Sequence, residues 1–350
     1  MKSQERRQKI IDFVEEQHVV KTADVFSFVQ EVLHEDVDRV TVSRDLSNLV
    51  KDAVLHKEGA GPSTSYSLHA SYLLTKEIDT EAYFQKTQDE RSVRTSFNPD
   101  IFSLLQGSVF TPAELEVLHA LHAKFQQKFK SIQSTTLIEK EFERIMIEFS
   151  WKSSQIEGNT YSLLDTEVLI KENKIAEGKT AHETQMILNH KNAFIFMREH
   201  KDVFMVLGRP VIEEIHRMLV ADLGVTENLR SVAVGITGTN YKPLDNVCQI
   251  AEALDAMITL INEKEDFFEK AFLALVLLAY IQPFEDGNKR TARTVSNAVL
   301  FAHGTTPLSY RAASEVEYKK ANLIFYETNN LAWLKDIFIK QFTFAVEKYF

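Results

Sequence analysis

Two carboxylates, a glycine and an asparagine share one short turn, Phe284-Glu285-Asp286-Gly287-Asn288, and two arginines follow at Arg290 and Arg293. Gly287-Asn288 accepts unusual backbone angles and opens a helix. Free N–H groups therefore point out of a helix N-terminus that carries both guanidiniums on its first turn. Such a turn is an anion site, suited to phosphate. Asp286 beside it has the chemistry to hold a hard cation such as Mg²⁺, which takes one or two carboxylates together with phosphate oxygens.

The elements that must position this turn lie on either side of it. Ala271 to Ile281 is an unbroken apolar run of eleven residues. That is too short to span a bilayer, and it reads as a helix buried in the core. Pro283 stops it, and a second apolar-periodic segment starts at Lys289.

Gln282-Pro283-Phe284-Glu285-Asp286-Gly287-Asn288-Lys289-Arg290-Thr291-Ala292-Arg293 resembles the signature of Fic (Fido) domain proteins, His-x-Phe-x-Asp/Glu-Gly/Ala-Asn-Gly/Lys-Arg-x-x-Arg. Most of that family transfers AMP from ATP to a protein hydroxyl. The resemblance implies an all-helical Fic core, ATP and Mg²⁺ as cofactors, and Asp286 as metal ligand. It also implies an anion hole at Gly287 and Asn288, with Lys289, Arg290 and Arg293 toward the phosphates and Phe284 anchoring the loop. The signature's first residue, the family's histidine general base, is Gln282 here. An amide has no usable basic nitrogen near neutral pH, so a transferase with this catalytic position is slow or altered. Lys289 follows the spelling of the Doc branch, which moves the γ-phosphate instead. Three readings stay open: an adenylyltransferase weakened at Gln282, a nucleotide-sensing transcriptional regulator with a degenerate Fic domain, and a Doc-like phosphotransferase.

A second motif lies upstream. Ser153, Glu157 and Gly158 resemble the inhibitory segment of Fic proteins, spanning 153–159 here. By that resemblance Glu157 pairs with Arg293 and occupies space that the γ-phosphate needs. A carboxylate in an anion site does compete for the same donors. The plainer reading is a helix ending at a glycine cap with Glu157 exposed.

Between Arg230 and Pro243, β-branched alternation is followed by a Gly/Asn turn and a proline stop, the pattern of a short hairpin. It resembles the Fic flap, whose edge would hold a target protein by strand addition over 232–243, with Gly235 and Thr237 beside the nucleotide. Tyr318, Ala321, Phe325 and Tyr326 recur at helical spacing. They read as a core stripe, and the resemblance puts adenine contacts nearby. His216 shares a patterned helix with Ile212 and Leu219 and reads as a packed histidine, with a substitute for the missing base as the weaker reading.

The chain has 350 residues, 44% of them hydrophobic, enough for more than one core. Its net charge of −10 argues against a general basic grip on nucleic acid. One cysteine, Cys248, excludes an internal disulfide and fits a reducing cytoplasm. Met1 to Glu5 leads into a charged helix with no leader-like apolar stretch, and no apolar run reaches membrane-spanning length.

Residues 6 to 68 read as three helices and a hairpin. Val42, Leu46, Leu49 and Val50 face inward from the third helix, and Thr22 caps the second. The order resembles a winged helix-turn-helix. That would direct Thr41, Ser43 and Arg44 to DNA bases, with Arg6 and Arg7 toward phosphate. Against DNA stands the charge of residues 1–70, nine Lys/Arg against twelve Asp/Glu, a net −3. The expected architecture is mostly α: a winged helix-turn-helix (α+β) domain over 1–70, a helical linker over 71–130, and a Fic domain over 131–350. Within it, Thr111-Pro112-Ala113-Glu114 starts a long helix expected to run through Phe149. The expected partners are ATP, a target protein and, through the first domain, DNA. A homodimer is carried as an open expectation.

Overall fold

The computed structural model describes residues 3–32, 37–91 and 93–350. Met1 and Lys2, which head the segment read above as lacking a leader, lie outside the described residues. The chain forms two compact units, one of Met1–Asp79 with Thr328–Ala332, the other of Thr80–Glu327 with Trp333–Phe350.

The first unit holds α1 (Ser3–Gln17), β1 (Val20–Lys21), α2 (Thr22–Ser27), α3 (Arg39–Lys51), β2 (Leu55–Glu58), β3 (Ser65–Leu68) and α4 (Ala70–Thr75). Its core gathers Ile10, Val14, Val25, Val42, Leu46 and Leu49, with Leu55 and Tyr66 from the sheet. The sheet order is β1-β3-β2, antiparallel throughout, with Val20 opposite Tyr66 and Leu55 opposite Leu68. The hairpin therefore gains a third strand that its own sequence does not announce. Thr22 is the first residue of α2 rather than its cap: the Lys21 amide donates to the Asp24 carboxylate at 2.8 Å and closes that end.

Arg6 and Arg7 do not face outward together as phosphate ligands. Asp45, buried on α3, accepts from Arg6 Nε at 2.8 Å and from Arg7 Nε at 3.0 Å. A buried carboxylate demands such partners, and Arg6 is itself buried in supplying one. On the same helix Ser43 and Arg44 are exposed and Thr41 is half-buried.

The second unit is helical: α5 (Thr80–Gln85), α6 (Ile101–Leu104), α7 (Pro112–Ser131), α8 (Thr135–Ile156), α9 (Leu163–Glu172), α10 (Ala181–Glu199), α11 (Arg209–Val220), α12 (Val247–Glu263), α13 (Phe267–Ile281), α14 (Asn288–Ala302), α15 (Glu315–Thr328) and α16 (Ala332–Lys348). Thr111 and Glu114 cap the first turn of α7 reciprocally, with Pro112 leading it. The helix expected to continue through Phe149 breaks at Ile132. Ser134 then starts α8, its hydroxyl accepting from the Leu137 amide.

All residues of α13 from Ala271 to Ile281 are buried. It packs along α14, and α8, α10, α11 and α12 surround the pair. The segment Pro307–Arg311, between α14 and α15, is irregular. Asn297 clamps it there, accepting from the Leu308 amide at 2.8 Å and donating to the Leu308 carbonyl at 2.9 Å. No described helix is long and apolar enough to cross a membrane.

Candidate functional site

The turn between α13 and α14 is built to a single shape. Gln282 ends α13 in the left-handed region, and Gly287 (φ 79°) opens α14. A Cβ on Gly287 would also stand 3.0 Å from Val220 Cγ1, so glycine serves both conformation and packing. Asn288 closes the turn, accepting from the Phe284 amide and donating to the Phe284 carbonyl, both at 2.8 Å. Phe284 is fully buried, its ring stacked on His216 at 3.6 Å between centroids. Burial lowers the His216 pKa, so the ring is neutral and its Nε2–H donates to the Asp286 carbonyl at 3.0 Å. His216 thus braces the turn.

Arg290 is buried beneath it, donating to Asp286 Oδ2 at 2.9 Å and to the Leu219 carbonyl at 3.3 Å. Arg293 is more enclosed still. Its Nη2 donates to Glu157 Oε1 and to the Ser153 carbonyl, both at 2.9 Å, and its Nε donates to Ser153 Oγ at 3.0 Å. Lys289 Nζ donates to the other Glu157 oxygen at 2.9 Å. Glu157 closes α8 at its C-terminal cap, so the end of one helix delivers a carboxylate to the start of another.

Burial alone would raise the Glu157 pKa. Arg293 and then Lys289 outweigh it and hold the carboxyl down at about 2. Behind Ser153, His190 is fully buried, and desolvation lowers its pKa to about 3. The neutral ring donates from Nδ1 to the Met186 carbonyl at 2.8 Å and accepts the Ser153 hydroxyl at Nε2 over 2.9 Å. That leaves the Ser153 oxygen turned to Arg293.

A cavity of about 500 Å³ opens on this turn. Asp286, Gly287, Asn288, Lys289 and Arg290 form its polar floor with Glu157 and Gln282. Ile156, Val234, Ile236, Leu323 and Tyr326 form an apolar wall, and Gly235, Thr237, Glu285, Tyr318, Lys319 and Asn322 complete the lining. Arg293 and Ser153 are not among the lining residues; they lie behind Glu157. Ala321 and Phe325 are core residues of α15. Lys319, Asn322 and Leu323 escaped the sequence reading because no motif marks them; only their helical spacing from Tyr318 and Tyr326 could have found them.

Gln282 turns its amide nitrogen back onto its own helix, donating to the Ala279 carbonyl at 2.6 Å. Asp286 is 65% exposed at the side chain, with one oxygen engaged by Arg290. No group of three His, Cys, Asp or Glu among the described residues forms a protein-only metal cage. One carboxylate at the mouth of a phosphate-sized cavity nevertheless fits a cation that draws its other ligands from phosphate and water.

The expected hairpin over 232–243 is not a hairpin. The described residues between Arg230 and Pro243 carry no strand ladder, only a turn at Thr237–Gly238 and one bridge from Lys242 to Ser96. Buried Arg230 explains the shape. It donates to the carbonyls of Gln282 (2.6 Å) and Val232 (2.8 Å) and to that of Leu244, so one side chain gathers both loop ends onto the motif where a hairpin would pair them through a strand ladder. Val232, at 51% exposure, has no facing strand to cover it.

Residues 207–300 match the Fic/DOC family. The chain carries a Fic domain. It is 23% identical over 213 residues to the protein adenylyltransferase fic-1 of Caenorhabditis elegans, covering 58% of this chain and 41% of that protein. It is 26% identical over 209 residues to the protein adenylyltransferase Fic of Nematostella vectensis, covering 58% and 48%. The alignments thus span less than half the length of these relatives. Among solved structures, a Fic family protein from Desulfovibrio desulfuricans has the same fold with a TM-score of 0.59 at 17% identity, covering 69% of this chain and 74% of that one. Fic-1 of C. elegans gives 0.55 at 22% identity, covering 67% and 71%. The Fic fold of these structures agrees with the mostly helical architecture described above; the small antiparallel sheet belongs to the first unit.

Proposed function

We propose that the Fic domain binds ATP with Mg²⁺ in the cavity over α14 and is built for AMP transfer to a protein hydroxyl, with turnover held low by Gln282 and by Glu157. One observation carries the reading: a carboxylate already sits in the anion site, bonded to both Arg293 and Lys289. N–H groups that donate to two carboxylate oxygens can donate to phosphate oxygens by the same geometry. In this reading Glu157 is inhibitory, with Ser153 orienting Arg293, and a nucleotide must displace it.

The Gly287 and Asn288 amides and Lys289 receive phosphate oxygens, and Arg290 holds Asp286 in position. Gly235, Thr237 and the wall from Val234 to Tyr326 take the nucleoside. Asp286 is the residue that would hold Mg²⁺, whose bound charge offsets that of the phosphates. The 231–237 segment, whose amides donate to nothing else among the described residues, faces a target segment. Positioning and charge supply most of the acceleration in this chemistry, whereas a missing base removes about 10² to 10⁴ of it.

A second reading is a nucleotide-sensing regulator in the cytoplasm. The exposed Ser43 and Arg44 on α3 favour it, as does a first unit with the helix and strand order of a winged helix-turn-helix. Titration of the full chain with ATP and Mg²⁺, followed by hydrogen exchange over 285–290 and by melting temperature, tests the nucleotide site. Protection of those amides is expected. No protection and no melting shift, even with Glu157 removed, would overturn it.

A further inference from the structure

The coil after α5 carries an arginine that no motif contains. Arg91 is 5% exposed at the side chain, and its Nη2 donates to the Gly238 carbonyl at 2.6 Å. Its Nη1 lies 3.3 Å from Glu327 Oε2, the oxygen that also accepts the Tyr83 hydroxyl. The rings of Tyr83 and Phe84 flank the guanidinium at 5.5 and 5.4 Å.

Both partners matter to the cavity. Gly238 is the tip of the 231–244 loop, at φ 88°, so close to α15 that a Cβ would meet Leu323 Cδ1 at 3.3 Å. Glu327 is on α15, the helix that brings Tyr318, Asn322, Leu323 and Tyr326 to the cavity. The neighbouring coil holds the same side of the loop. Asn240 donates to Asp89 Oδ1 at 2.9 Å, and the Lys242 amide donates to the Thr95 carbonyl at 3.0 Å. By contrast, among the described residues the amides of Ser231 to Thr237 donate to nothing in the chain.

We propose that Arg91 is a positioning residue. It ties the tip of the 231–244 loop to α15, so that 238–242 is fixed and the amides of 231–237 stay available above the cavity. The segment that reads in sequence as a linker is thus part of the site's frame. Packing alone would ask for an apolar residue here. Here the guanidinium is ion-paired with a buried carboxylate and donates one charge-assisted hydrogen bond to a loop carbonyl, so the pair holds its place and the hydrogen bond sets the loop's direction. The functional meaning rests on the Fic reading above; the tie itself does not.

Hydrogen exchange on the full chain tests it with Arg91→Gln, Glu327→Gln, the double variant and Arg91→Lys. Arg91→Gln is expected to speed exchange over 238–243 by about tenfold or more, the size that a lost charge-assisted hydrogen bond allows, with α13 and α14 unchanged. Arg91→Lys should restore part of the protection. The two Gln substitutions should not add, because Arg91 acts on the loop only while Glu327 orients it. Unchanged exchange over 238–243, additive effects, or faster exchange throughout the unit in both Arg91 variants would overturn the proposal. Calorimetry with ATP and Mg²⁺ in a Glu157→Gly background separates the two ideas. A loop that responds in a protein that binds no ATP leaves the tie standing and sinks the Fic reading.

Discussion

Replacing Glu157 with glycine removes the carboxylate that Arg293 and Lys289 share, and the size of the effect follows from how firmly they hold it. A carboxyl drawn from an ordinary 4.5 to about 2 is held in its charged form by roughly 3 kcal/mol. Its side chain is 17% exposed and that of Arg293 is fully enclosed, so solvent screens the pair little. ATP must break this contact in the wild type and need not in the variant. Glu157→Gly should therefore bind ATP with Mg²⁺ about a hundredfold more tightly in calorimetry. The nucleotide-free variant should also melt lower, since Arg293 is left buried and uncompensated, and saturating ATP should recover the loss. The carboxylate's pKa is lowered in the folded protein. Its contribution is thus complete above the unfolded value of 4.5 and is lost only as pH falls through about 2. The affinity ratio between variant and wild type should then stay flat from roughly pH 5 to 9. Equal affinities in two well-folded proteins, or a ratio that collapses near neutral pH, would refute the reasoning.

Lys289 should matter less to ATP while Glu157 is present. Its pair with Glu157 is 30% exposed on the lysine side, so Lys289→Ala in the wild type removes a phosphate ligand but also frees Glu157 by up to about 1 kcal/mol, and the two effects offset. In the Glu157→Gly background only the phosphate ligand is lost, so the same change should weaken ATP a few-fold more than in the wild type; calorimetry on the four proteins checks the difference, and equal losses would contradict it. In the first unit, Asp45→Asn leaves buried Arg6 without its carboxylate and should cost that unit about 3 to 5 kcal/mol. Hydrogen exchange should quicken over α1 and α3 and stay unchanged over α13 and α14, whereas no change in α1 would contradict the pairing.

The helical architecture and the heart of the site were legible because local chemistry sets them. An eleven-residue apolar run has nowhere to go but the core, and Gly287-Asn288 after a proline stop has few shapes available. Ser153, Glu157 and Arg293 meet as the two motifs imply. What stayed hidden depends on partners distant in sequence. Lys289 reads as a phosphate ligand and is found on Glu157, 132 residues away. Alternation in Val232, Val234 and Ile236 spells a strand, yet a strand needs a neighbour, and Arg230 ties the loop ends to Gln282 instead. Arg6 and Arg7 looked free until Asp45, 39 residues on from Arg6, came up beneath them. After the break at Ile132 the next helix is capped by the Ser134 hydroxyl, a weak signal inside a strongly helical stretch.

The claim at the centre is that this cavity presents ATP for AMP transfer and lacks only an unblocked anion site and a base. The direct measurement is label transfer from ATP, with α- and γ-labelled nucleotide in parallel, by the wild type, Glu157→Gly, and Glu157→Gly with Gln282→His. The account predicts α-label on protein in the double variant, about 10² to 10⁴ above Glu157→Gly alone, and no γ-label. Transfer of γ-label, or a double variant that binds ATP yet moves no α-label, would contradict it.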